Sequence, residues 1–194
     1  MNLWGAWNDL TDAVGRTISF ERDAQNRITR RTEPDGSCVN FTYDAIGNRL
    51  SSQRMNTANC AQAAAASADA VQSWLYSYEP RFNRIKSVTD PLGQTTTYVY
   101  DYDEGVSNAG RLIRIEYPSI TIADGTTYTP TTRYSYTGLG LLETVTDEAG
   151  IVTRYSYDSA GRLTKMIENE GGLNLTTTFQ DFDAAGRPQT VVRP

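Results

Sequence analysis

Residues 154–166 read RYSYDSAGRLTKM, with Tyr155 and Tyr157 two apart and Asp158-Ser159-Ala160-Gly161-Arg162 directly behind them. Alternation in a strand puts two residues so spaced on one face of a sheet. In Asp-x-x-Gly the aspartate side chain accepts backbone N–H bonds from the residues ahead of it, and the glycine supplies the positive φ that closes the turn. A connection that short joins antiparallel neighbours, because parallel strands need a crossover of about a dozen residues or more. The stretch therefore spells one β-hairpin, with Leu163 to Ile167 as the returning strand.

The same spelling recurs along the chain. FTYDAIGNRL at 41–50, YSYEPRFNRI at 76–85, YVYDYDEGVSNAGRL at 98–112 and YSYTGLGLL at 134–142 repeat the aromatic pair and the turn, with degenerate copies from Phe20 and Phe182. Tyr78 to Tyr100, Tyr136 to Tyr157 and Tyr157 to Phe182 are 22, 21 and 25 residues apart, a period typical of repeat architectures. A second turn lies in each unit: Asp35-Gly36 precedes SCVNFTY, Asp90-Pro91-Leu92-Gly93 precedes QTTTYVY, and Asp147-Glu148-Ala149-Gly150 precedes IVTRYSY. Turns thus alternate with strand-sized segments, and the aliphatics of the returning strands fill the space between aromatic rows. The chain reads as an all-β, repetitive antiparallel hairpin meander of about ten to fifteen strands, a single segment over 1–194. Two stretches leave the pattern. Residues 52–73 are Ala-rich and form an insertion with a short helical or loop piece around 61–71, and 116–130 form a longer hairpin with its tip at Asp124-Gly125.

Composition agrees: 12 Tyr and 15 Gly favour short strands and tight loops. A net charge of −5 with no basic stripe argues against nucleic-acid binding. No apolar run reaches the roughly 20 residues of a membrane-crossing helix, and MNLWGAWNDL lacks the features of a signal peptide. The absence of His removes the usual base for a Ser or Cys nucleophile, and neither GxSxG nor a phosphate-cradling loop is present. Two cysteines, Cys38 and Cys60, are too few for a zinc site; they leave two states open, a disulfide or a pair of free thiols.

The copies YDSAGRLT at 157–164 and YDAIGNRL at 43–50 resemble the YD-repeat, or Rhs-repeat, proteins of bacteria and the related teneurin ectodomains. The motif residues carrying the resemblance are Tyr43, Asp44, Gly47, Tyr98, Tyr100, Gly110, Arg111, Tyr155, Tyr157, Asp158, Gly161 and Arg162. Glu79 and Thr137 stand where two copies should have Asp, and the turn from Asp103 to Gly110 is lengthened, so these turns are expected to be weaker. The resemblance implies a curved strip of sheet belonging to a larger, secreted or surface-exposed shell. In bacterial toxin members that shell encloses a toxin domain, so the implied partners are the rest of the shell and its cargo.

Nothing here implies an enzyme or a cofactor. Asp90-Pro91-Leu92-Gly93 is similar to a DPxGL-type motif near the self-cleavage point of Rhs toxins, but further repeats follow it and it reads as an ordinary turn with Pro91 presetting φ. Asp101 and Asp103 could serve as an acid–base pair, yet they sit where other repeats place turn caps. Arg111, Arg162, Arg187 and the offset Arg49 read either as a ligand row or as guanidiniums lying on a neighbouring ring or bonding the turn Asp. Two functions follow: a non-catalytic structural segment of a shell or scaffold, or an adhesion module whose sheet face or insertion at 52–73 binds a carbohydrate or protein. Unpaired edge strands add an expectation of self-association through the ends of the sheet.

Overall fold

The computed structural model describes residues 8–56, 60 and 71–194. The chain divides into two units, 1–96 and 97–194. In the first lie β1 (Asp9–Thr11), β2 (Thr17–Arg22), β3 (Ile28–Thr32), β4 (Cys38–Tyr43), β5 (Arg49–Met55), β6 (Val71–Tyr78) and β7 (Ile85–Thr89), each paired antiparallel with the next. β8 (Thr95–Tyr100) begins at the end of that unit. The second unit continues with β9 (Leu112–Glu116), β10 (Ile120–Thr121), β11 (Thr127–Tyr128), β12 (Thr131–Tyr136), β13 (Leu142–Thr146), β14 (Val152–Tyr157), β15 (Leu163–Glu168), β16 (Leu175–Phe182) and β17 (Pro188–Val192). Here β9 pairs with β12, the rest of the sheet follows chain order, and β10 and β11 form a separate hairpin. The fold is the expected antiparallel meander; the strand total among the described residues exceeds the expected range by this small hairpin, whose tip falls at Asp124-Gly125 as expected.

The strands on either side reach further into the Ala-rich stretch than 52–73 allows. β5 runs to Met55, and Val71, expected to end a helical piece, instead opens β6, where its register opposite Met55 extends the ladder. The remainder of that expected piece, 61–70, lies outside the described residues. Cys38 and Cys60 are disulfide-bonded with Cα atoms 5.9 Å apart, and with Met55 they form a small buried cluster against which Val71 packs.

Alternation sorts the two faces. The first aromatic of each pair stands opposite a residue of the returning strand: Tyr76 opposite Val88, Tyr98 opposite Ile115, Tyr134 opposite Val145 and Tyr155 opposite Met166. The residue between the two aromatics points to the other face, where its hydroxyl bonds across the hairpin in Thr42–Ser51, Ser77–Ser87 and Ser135–Thr144, at 2.7, 2.6 and 2.7 Å. Such cross-strand pairs set the register, since a slip of one residue would exchange the faces.

The two kinds of turn differ in what flanks them. At the turns that follow an aromatic pair the register shifts by one residue, as between Thr42 and Tyr43, Ser135 and Tyr136, and Ser156 and Tyr157. At the intervening turns the ladder runs straight in, as at Thr32 opposite Cys38 and Thr146 opposite Val152. A bulge bends and twists the strand that holds it, so the distortion is confined to the aromatic end of each hairpin.

Candidate functional site

The turn that opened the sequence reading is closed by both backbone and side chain. The Asp158 N–H donates to the Arg162 carbonyl and the Gly161 N–H to the Asp158 carbonyl, each at 3.0 Å. Asp158 Oδ1 accepts from the N–H groups of Ala160 and Arg162, and Oδ2 from Arg162 Nε at 2.7 Å. Asp12 with Arg16, Asp23 with Arg27 and Asp183 with Arg187 repeat this arrangement. At Asp44 the amide of Asn48 takes the guanidinium's place, at 2.7 Å from Oδ2. The backbone N–H of Arg162, joined by its side chain, holds the Asp158 carboxyl below the ordinary carboxylate range despite some desolvation. Gly47, Gly110 and Gly161 close their turns with φ of 103°, 75° and 78°, a region L side chains rarely enter.

The irregular turns keep caps: that of Glu79 is as full as an aspartate's, and that of Thr137 is reduced to one bond, as the expected weakening has it. Glu79 is 4% exposed, and its longer side chain spans a longer loop, accepting from the N–H groups of Arg81, Phe82 and Arg84 at 2.7, 2.9 and 2.8 Å. Thr137 Oγ1 accepts from the Leu141 N–H at 3.2 Å. In the lengthened turn, Asp101 is 1% exposed and accepts from the N–H groups of Ala109 and Gly110, while Asp103 accepts from that of Tyr100. Burial alone would raise the Asp101 pKa; the donors from Arg111, Ser107, Gly110 and Tyr102 outweigh it, and the net shift is downward. Both carboxylates are thus bonded to the backbone of the loop they sit in. Asp90 likewise accepts from the N–H groups of Leu92 and Gln94 at 2.9 Å.

Consecutive repeats are tied through side chains on the aromatic face. The second aromatic of a pair donates its hydroxyl to the carbonyl of the first residue in the previous returning strand: Tyr43 to Ile28 at 2.7 Å, Tyr78 to Arg49 at 3.1 Å, Tyr136 to Leu112 at 2.8 Å and Tyr157 to Leu142 at 2.8 Å. Sequence reasoning missed this ladder. Its signal was present: the second position is Tyr in Tyr43, Tyr78, Tyr100, Tyr136 and Tyr157, whereas the first position tolerates Phe41.

The arginines behind the turn aspartates do the two structural tasks named as alternatives to ligand binding. Arg27 and Arg162 bond their own Asp and also lie over Tyr43 and Phe182 of the next repeat, 4.9 and 4.5 Å from the ring centroids. Arg111 lies over Tyr136 at 5.5 Å, and the offset Arg49 over Tyr76 at 4.7 Å. Tyr155 shares its face with Tyr157, and Tyr98 its face with Tyr100, without joining the hydroxyl ladder that the described residues display.

The model of the RHS repeat family matches residues 9–37, 23–55 and 136–173. Over those residues the chain carries RHS repeats. Its fold is similar to a crystal structure of TcdB2-TccC3-Cdc42, with a TM-score of 0.66 at 13% identity over 94% of this chain. A structure of TcdB2-TccC3 gives a TM-score of 0.55 at 12% identity over 98% of this chain. This chain spans 9% and 12% of those two chains. No curated protein matches it in sequence. The repeats do structural work: Asp44 and Asp158 cap their turns, and Tyr43 and Tyr157 join neighbouring hairpins.

Proposed function

We propose that the chain is a non-catalytic stretch of wall in a larger secreted or surface protein, where stacked hairpins enclose a toxin or other cargo. The observation that carries this reading is the hydroxyl ladder, in which Tyr43, Tyr78, Tyr136 and Tyr157 are each committed to the backbone of the repeat before. Side chains so committed stiffen a sheet and leave little for ligand recognition. The Cys38–Cys60 disulfide supports an oxidising destination, since cytosolic thiols are kept reduced in most organisms. The structures of similar fold contain TcdB2 with TccC3, which supports the remainder of such an assembly as partner.

The competing reading is an adhesion module whose tyrosines hold a carbohydrate. Tyr155→Ala combined with Tyr157→Ala separates them by circular dichroism and glycan-array binding. A wall segment loses much of its cooperative melting transition and shows no glycan signal at any stage. Retained melting with a lost glycan signal would replace the wall with the adhesion module.

A further inference from the structure

Residues 132–136 and 153–157 both read TRYSY, yet the two copies treat their arginine differently. Arg154 is held by Glu170 at 2.6 Å and by Glu143 at 3.3 Å. Glu143 precedes Thr144, the residue opposite Arg154. Opposite Arg133 stands Arg114, and the residue before that is Ile113. Glu170 follows β15; the acid in the corresponding turn after β13, Glu148, bonds the Thr132 hydroxyl instead. Among the described residues Arg133 therefore has neither carboxylate, and its side chain is exposed.

Like charges placed directly opposite one another repel. Arg114 is balanced from within, by Glu116 at 2.8 Å and by Glu104 of the lengthened turn. Arg111 is not. Its guanidinium lies over Tyr136, which occupies a face of the planar group and leaves the N–H fork to donate. In a regular turn the aspartate takes that fork, as Asp158 takes Arg162 Nε while Arg162 covers Phe182. Here the Asp101 carboxylate is turned onto the N–H groups of Ala109 and Gly110.

The two unbalanced arginines share one space. β9 and β12 are paired from Glu116 opposite Thr131 to Arg114 opposite Arg133. Toward the lengthened turn they part around a cleft of about 340 Å³, lined by Arg111, Ile113, Arg114, Arg133, Tyr134 and Tyr136. That volume is at the small end of ligand clefts and suits one side chain with its neighbour rather than a polymer. β13 to β17 separate the cleft from that end of the sheet, so its opening does not depend on the last strand.

We infer that this cleft binds an acidic residue of a partner protein, a glutamate or aspartate with an apolar neighbour. Its carboxylate bridges Arg133 and the N–H fork of Arg111, supplying from outside what Glu143 and Glu170 supply to Arg154. The apolar neighbour packs on Ile113, which stands where Glu143 stands in the next hairpin, and on Tyr134. Such a hold serves an enclosed cargo and an outside partner alike.

The peptides acetyl-Leu-Glu-Leu-amide and acetyl-Leu-Gln-Leu-amide, titrated into the isotope-labelled full chain and followed by the NMR signals of the arginine Nε–H groups, test it. The Glu peptide is expected to move the signals of Arg133 and Arg111 saturably and to leave that of Arg154, already held by two glutamates, in place. Arg133→Gln weakens this binding about tenfold, the worth of a hydrogen bond between charged groups, and keeps the melting curve because the side chain is exposed. If Arg133→Gln fails to fold, the two peptides on the parent chain decide alone. Equal affinity for the Gln peptide, equal affinity for acetate or inorganic phosphate, or no saturable shift at Arg133 overturns the assignment.

Discussion

Tyr157 donates its hydroxyl to the Leu142 carbonyl, 2.8 Å away on the returning strand of the preceding repeat. Burial also pushes the Tyr157 pKa up, so the phenol stays protonated and remains a donor well above neutral pH. Tyr157→Phe removes the donor and keeps the ring, and is expected to destabilise by about 1 kcal/mol in urea unfolding. Tyr155→Phe, on the same face but outside the ladder, should stay within about 0.5 kcal/mol of the parent.

Gly140 and Gly150 occupy equivalent turn positions, with φ of 85° and 79°. A Cβ on Gly150 meets open space, whereas one on Gly140 meets the guanidinium of Arg111. Gly150→Ala therefore costs about 1 kcal/mol of backbone strain, and Gly140→Ala costs more because Arg111 must leave Tyr136 as well. In a double-mutant cycle measured by chemical denaturation, Arg111→Ala should remove the excess at Gly140 and leave the strain.

Backbone and side-chain donors lower the pKa of Asp12, Asp158 and Asp183 below the ordinary 3.8. A carboxylate depressed in the folded state contributes stability that is complete above its unfolded pKa and is lost as pH falls through the folded one. Unfolding free energy should thus be level from neutral pH to about 5 and decline below about 4. Asp158→Asn should lower the plateau and make the decline shallower, as read from denaturation series at stepped pH.

The disulfide joins residues 22 apart. Closing a loop of that size restricts the unfolded chain by about 3 kcal/mol. Reduction, or Cys38→Ala with Cys60→Ala, is expected to lower the melting temperature by several degrees. Thiol labelling of the unfolded, unreduced chain should find neither cysteine reactive.

What the sequence disclosed follows the range of each interaction. The Asp158 cap acts within four residues, so spacing alone reveals it. Face alternation revealed the shared side of Tyr155 and Tyr157. The acceptors of the tyrosine ladder lie 15 residues back for Tyr157 and 24 for Tyr136, and only the folded register shows which carbonyl is in reach. The arginine alternatives could not be divided from sequence because Arg162 serves its own Asp and the next ring at once. The full cap at Glu79 is hidden from the sequence because residue identity alone does not show how a loop lengthens to suit a longer acceptor, whereas the single bond left at Thr137 follows from its shorter side chain.

The detour of residues 117–130, between β9 and β12, leaves the sheet where no aromatic pair precedes it. None of the tyrosine-to-carbonyl ties among the described residues starts in that connection, so extra sequence there leaves the stacking undisturbed. Connections of this kind are consequently open to change in length and chemistry, and foreign loops grafted at Asp147-Glu148-Ala149-Gly150 should be carried without disturbing the hairpins beneath them.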